Sequence, residues 1–163
     1  MTFSDDVFRI LPAIVPPLEP TIKHARWNPD DCPTIYTSIE RETAIAEVRN
    51  RLEEEPPRKN KPHNIHVLRV RIRRVLDLRP PPVLARLTKL VGPIHRDIEG
   101  GSQAIGGAAA WARYSGLLVP SARVDKGSNL VLFPDLIDAQ GEDLAVVETS
   151  DIDLRRSAHL RLI

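Results

Sequence analysis

Proline is the residue that most limits this chain. Fifteen of its 163 residues are proline, about 9% against a usual share near 5%. They gather in Pro16-Pro17, Pro56-Pro57 and Pro80-Pro81-Pro82, with others between. A proline fixes φ and has no N–H to donate, so it stops helices and stays out of central strands. The chain must therefore fold through short elements joined by fixed loops, with few long helices.

Between these stops the hydrophobic period assigns the elements. Val7-Phe8-Arg9-Ile10 is a short strand that puts Arg9 on the face opposite Phe8 and Ile10. Thr34-Ile35-Tyr36-Thr37 is β-rich, and Thr37 with Glu40 has capping-box spacing for a helix over Ile39–Glu54. That helix carries the stripe Ile45, Val48, Leu52 and is expected to stop at Pro56-Pro57. From Ile65 to Val75, Leu68, Val70 and Ile72 alternate with Arg69, Arg71 and Arg73, the clearest strand of the chain. Pro80-Pro81-Pro82 is expected to break the chain before a short helix, VLARLTKLV, ended by Gly92-Pro93. Ser102–Tyr114 reads as a helix with a face of small residues, suited to close packing on a sheet. Leu117-Leu118-Val119 and Leu130-Val131-Leu132-Phe133 are apolar strands, and Leu144–Glu148 a weak one. Mixed elements without regular βαβ alternation predict the α+β class. One compact domain over residues 1–163 is expected, with 151–163 a polar C-terminal tail.

Composition excludes several classes of function. A single cysteine, Cys32, permits no intramolecular disulfide, and five scattered histidines give no zinc-site spacing. His63 and His66, three apart beside a strand, point to different faces and chelate poorly. The N-terminus carries acids where a signal peptide carries bases, and no apolar run approaches the ~18 residues of a membrane span. The expected address is the cytoplasm, with no membrane partner. A formal charge of +1 creates no global field for a polyanion, so charge-based binding must be local.

Taken singly, the candidate residues have ordinary explanations. The glycine-rich run Gly100–Gly107 lacks both the lysine of a phosphate loop and G-x-G-x-x-G spacing. Cys32 has no base beside it in sequence and reads as an inert thiol. Glu47 lies off the apolar stripe, four residues before Arg51, and an exposed ion pair would explain it. Arg9 and Arg26 sit by apolar residues, where a surface ion pair is the usual fate, and Ser121 after a proline usually makes a turn.

The order of the pieces says more. Phe8-Arg9-Ile10, Arg26-Trp27-Asn28, Ile35-Tyr36-Thr37-Ser38, Ala46-Glu47, Gln103, Gly116–Arg123 and Asn129–Phe133 together resemble the RES domain, from Phe8 to Phe133. One departure is that His24-Ala25 replaces the glycines that usually precede RWN, and Pro29-Asp30-Asp31 stands at the usual glycine turn. The resemblance implies a fold like that of ADP-ribosyltransferases and a toxin acting on NAD, held by an Xre-type antitoxin that plugs its cleft. The implied reaction is phosphorolysis of NAD to nicotinamide and ADP-ribose 1''-phosphate, with protein ADP-ribosylation as the alternative. NAD and inorganic phosphate would be substrates, with no cofactor or metal; a homodimer or a hetero-oligomer with the antitoxin is possible under the same resemblance.

By that resemblance Arg9, Arg26, Tyr36, Glu47 and Ser121 are the site. Arginine forks suit NAD's pyrophosphate or an attacking phosphate. A carboxylate at Glu47 suits the positive charge that builds on the ribose. Tyr36 offers a ring for nicotinamide and Ser121 a hydroxyl for ribose or phosphate. The rival from another class is a non-catalytic nucleic-acid-binding module using the face of Arg69, Arg71, Arg73 and Arg74. Near-zero net charge and few aromatics speak against it.

Overall fold

Alternation builds the strand at the centre of one half of the sheet. In β3 (His63–Ile72) the side chains of Leu68, Val70 and Ile72 are buried while Arg69 and Arg71 are exposed. The computed structural model describes residues 1–54, 61–91 and 100–155. There β3 pairs antiparallel over its whole length with β1 (Phe3–Pro12), and on its other edge with β7 (Asp143–Ile152). The other described strands are β2 (Ile35–Ser38), β4 (Val75–Asp77), β5 (Gly116–Pro120) and β6 (Ser128–Leu132). The described helices are α1 (Arg41–Glu54), α2 (Pro81–Val91), α3 (Gly101–Trp111) and α4 (Pro134–Ala139). The strands run β4-β5-β6-β2-β1-β3-β7, antiparallel except for β4 beside β5.

One residue pair joins the halves of this sheet. β1 meets β2 only at Phe8 opposite Ser38. Yet Val7, Leu68, Val70 and Ile72 from one half share a buried cluster with Ile35, Leu118, Leu130 and Leu132 from the other. The sheet therefore folds over at the joint, its halves face each other, and α4 adds Ile137 to the core between them. On the outside, α1 lays Ala44, Ile45, Val48 and Leu52 on Ile10 and Ile65. On the other half, α3 sets Ile105 and Ala109 against Leu117, Val119 and Val131. This is the expected α+β architecture, and no described helix is long and apolar enough to cross a membrane.

Several expectations need correction. The capping box does not form: Thr37 is buried in β2 and donates its hydroxyl to the Leu130 carbonyl at 2.7 Å, so α1 begins at Arg41. Glu40 instead accepts from the Thr43 hydroxyl at 2.8 Å and from the Ser128 N–H at 3.0 Å, tying α1 to β6. The strand expected over Ile65–Val75 is two: the β1 ladder ends at Phe3 opposite Ile72, the chain bends at Arg73, and Val75–Asp77 then pairs with β5 as β4. Pro81 and Pro82 open α2 rather than break the chain, since a first-turn residue needs no N–H partner. β7 is twice the expected length because β3 supplies it a full ladder, and it takes in Asp151 and Ile152 of the expected tail. The expected stops Pro56-Pro57 and Gly92-Pro93 lie outside the described residues, as does the tail from 156 to 163.

Candidate active site

Past the Phe8–Ser38 pair, β1 and β2 have no ladder between them, and a cleft of about 370 Å³ lies there. Arg9, Arg26, Tyr36, Ser38, Glu47 and Arg51 are in its wall. Four of the five expected site residues thus meet in one cavity.

Glu47 is held from behind. Its Oε1 accepts from the Ser121 hydroxyl at 2.7 Å and from the Asn129 amide at 2.9 Å. The Ser38 hydroxyl donates to Asn129 Oδ1 at 2.8 Å, which fixes which end of that amide faces Glu47. Ser121 accepts from the backbone N–H groups of Arg123 and Val124 at 3.1 and 3.0 Å. Its one proton and both lone pairs are used, so Ser121 acts on the cleft through Glu47. The exposed ion pair with Arg51 is absent: the carboxylate is half-buried and bonded to two neutral donors.

The surface-pair reading of Arg9 is corrected too. The residue is 6% exposed, and its guanidinium donates to the carbonyls of Pro17 and Glu19, each at 2.7 Å. Burial, then the charge of Arg51, brings its pKa down to about 10 against the pull of Glu19, so it stays protonated at neutral pH. These bonds anchor the loop after β1 to the strand.

Arg26 and Trp27 form the tip of a tight turn closed by paired backbone bonds between Ala25 and Asn28. Trp27 is buried beneath α3, while Arg26 lies in the cleft wall with its guanidinium 5.6 Å from the Trp27 ring. Tyr36 organises this turn: its hydroxyl donates to Asn28 Oδ1 at 2.6 Å and accepts from the Trp27 N–H at 3.0 Å. Burial pushes the phenol up to about 12, so it remains a donor. Only the ring of Tyr36 is left for a ligand. Tyr36→Phe is expected to cost roughly 1–3 kcal/mol by leaving Asn28 and the Trp27 N–H without this partner. Thermal melting checks it, and an unchanged midpoint would mean that other bonds hold the turn.

The departures around RWN compensate each other. His24 donates its backbone N–H to Asp30 Oδ1 at 2.8 Å and brings its ring to 3.2 Å from the same oxygen, clasping the turn from both sides. Asp31, at φ 61°, takes the left-handed conformation that a glycine adopts freely.

Two further residues of the cleft wall are not among the expected site residues. Asn129 lies in β6 beside the apolar run Leu130–Leu132, and a polar group on a packed sheet needs a partner, which is the signal that would have found it. Arg51 was read only as the other half of a surface pair, though the same four-residue spacing brings it to the cleft with Glu47. The rival arginine face is largely engaged. Arg69 forks onto Asp6 at 3.0 and 3.2 Å, Arg73 bonds Glu142 and the Gln140 carbonyl, and Arg74 stacks on Tyr114 at 4.9 Å. Cys32 is half-buried and burial raises its thiol pKa, which agrees with an inert role.

A family model described as the RES domain matches residues 7–156. Among solved structures, the M. tuberculosis MbcT–MbcA toxin–antitoxin complex contains a chain that matches with a TM-score of 0.80 at 24% identity. The match covers 98% of this chain and 90% of that one. No curated protein matches.

Proposed function

The chain belongs to the RES domain family, and from that premise we propose that it is a toxin that breaks the nicotinamide–ribose bond of NAD, using phosphate as acceptor. The observation that carries the reading is one carboxylate, Glu47, held on Oε1 by Ser121 and Asn129 in a cleft shared with Arg9 and Arg26.

Each residue has work that suits the reaction. Arg9 and Arg26 pair with phosphate oxygens, Arg9 through the donors its two carbonyl bonds leave over. Glu47 stabilises the positive charge that grows on the ribose as the bond to nicotinamide lengthens. Ser121 and Asn129 are positioning residues that keep the carboxylate aimed. Nicotinamide departs neutral, its ring nitrogen taking the bonding electron pair, so no general acid is needed. The likeness to a toxin–antitoxin complex supports a protein partner, and family resemblance makes it an Xre-type antitoxin seated over the cleft.

Incubation with NAD, with and without inorganic phosphate, tests the reading when the products are identified by mass. Phosphate-dependent loss of NAD with nicotinamide and a phosphorylated ADP-ribose is the expected outcome. Equal loss without phosphate, giving free ADP-ribose, would make the protein a glycohydrolase. ADP-ribose found on protein would make it a transferase, and an untouched NAD pool would end the reading.

A further inference from the structure

Among the described residues, three arginines line the cleft, Arg9, Arg26 and Arg51, with a single acid, Glu47. Arg51 is the member with no assigned work. It stands on α1 about one turn beyond Glu47, is exposed at the mouth, and has no hydrogen bond or ion pair to a described residue. The nearby acid Glu54 is engaged elsewhere, with Arg123 at 3.0 Å.

We propose that Arg51 and Arg9 form a seat for an inorganic phosphate dianion beside Glu47, and that Arg51 determines the affinity for the acceptor. This rests on the reading of the cleft as an NAD phosphorylase. Arg26 belongs to the turn beneath α3, whereas Arg9 and Arg51 belong to β1 and to the helix packed on it. The anions of the reaction sort accordingly: the pyrophosphate of NAD toward Arg26, the attacking phosphate toward Arg9 and Arg51. Glu47 and Arg51 project from the same helical face, so an anion on Arg51 lies next to the carboxylate that faces the reacting carbon. Both arginines line the same cleft, and Arg9 is held below its usual pKa first by burial and then by the charge of Arg51; a bridging anion offsets both costs. In the step itself an oxygen of hydrogen phosphate bonds to the anomeric carbon, the carbon–nitrogen bond breaks with its pair going to nicotinamide, and the phosphate keeps its own proton.

A cation in the last turn of α1 also suits the helix dipole. That account gives Arg51 a small part in stability and none in phosphate binding, and the two are separable. Binding of inorganic phosphate is measured by calorimetry at constant ionic strength, in the parent and in Arg51→Gln and Arg51→Lys. The loss of a charge-assisted contact is expected to weaken phosphate binding about tenfold or more in Arg51→Gln, and less in Arg51→Lys. In turnover, KM for phosphate should rise by a similar factor while KM for NAD stays within about twofold. Parent-like phosphate binding in Arg51→Gln, or a rise in KM for NAD instead, overturns the assignment. Phosphate that binds through Arg51 without any NAD loss in the parent would keep the seat and sink the phosphorylase reading. Phosphate-dependent NAD loss indifferent to Arg51 would do the reverse.

Discussion

Glu47→Gln is expected to lower NAD turnover on the order of 100-fold while leaving the melting temperature close to the parent's. The two halves of that expectation have different causes. Oε1 of Glu47 accepts from Ser121 and Asn129, and a glutamine amide oxygen can occupy the same place and accept the same two bonds. Helix propensity is nearly unchanged as well. The negative charge is lost, and it is the charge that opposes the developing positive charge on the ribose. Ser121→Ala keeps the charge and removes one of its two holds, so its turnover should fall between the two. NAD consumption and thermal melting of the three proteins check this together. A Glu47→Gln protein that melts normally and consumes NAD at the parent rate would remove Glu47 from the chemistry.

Arg9 marks where sequence reading stops. Alternation places its side chain opposite Phe8 and Ile10, but whether that face meets water or a cleft depends on where β2 parts from β1. That parting is a long-range event with no local pattern. β3 and α1 are legible because a core face imposes its period on the side chains, β5 and β6 because burial on both faces leaves short continuous apolar runs, and α3 by its face of small residues. The length of β7 was not, since nearly all of its residues are exposed and only the β3 ladder holds them. α4 has six residues, too few for a period to appear. Most of the site emerged from the order of motifs rather than from any one of them. Asn129 and Arg51 gained roles only when the fold set them beside Glu47 and Arg9.

Gly106→Ala is expected to be strongly damaging, and Gly107→Ala, its neighbour on α3, close to harmless. A Cβ at position 106 would stand 1.7 Å from the Trp27 carbonyl oxygen and 2.7 Å from its carbon, both backbone atoms that cannot rotate aside. At 107 the nearest atom is Cγ of the Pro29 ring at 3.3 Å, which a small shift relieves. Alanine is favoured over glycine inside a helix by about 1 kcal/mol, so both substitutions gain that much before contacts are counted. At 107 little opposes the gain. At 106 the clash must be met by moving α3 or the Ala25–Asn28 turn, at the roughly 1–3 kcal/mol or more of an overpacked core. Movement of the turn carries Arg26 directly, and movement of α3 pulls on the turn through the Gln103 amide, which donates to the Ala25 carbonyl at 3.1 Å, so a substitution outside the cleft wall should lower NAD turnover along with the melting temperature. At about 2–4 °C per kcal/mol for a domain of this size, a drop of several degrees at 106 against no drop at 107 is within easy reach of calorimetry. Equal melting temperatures for the two variants would mean that α3 does not press on the RWN turn as closely as its glycine allows.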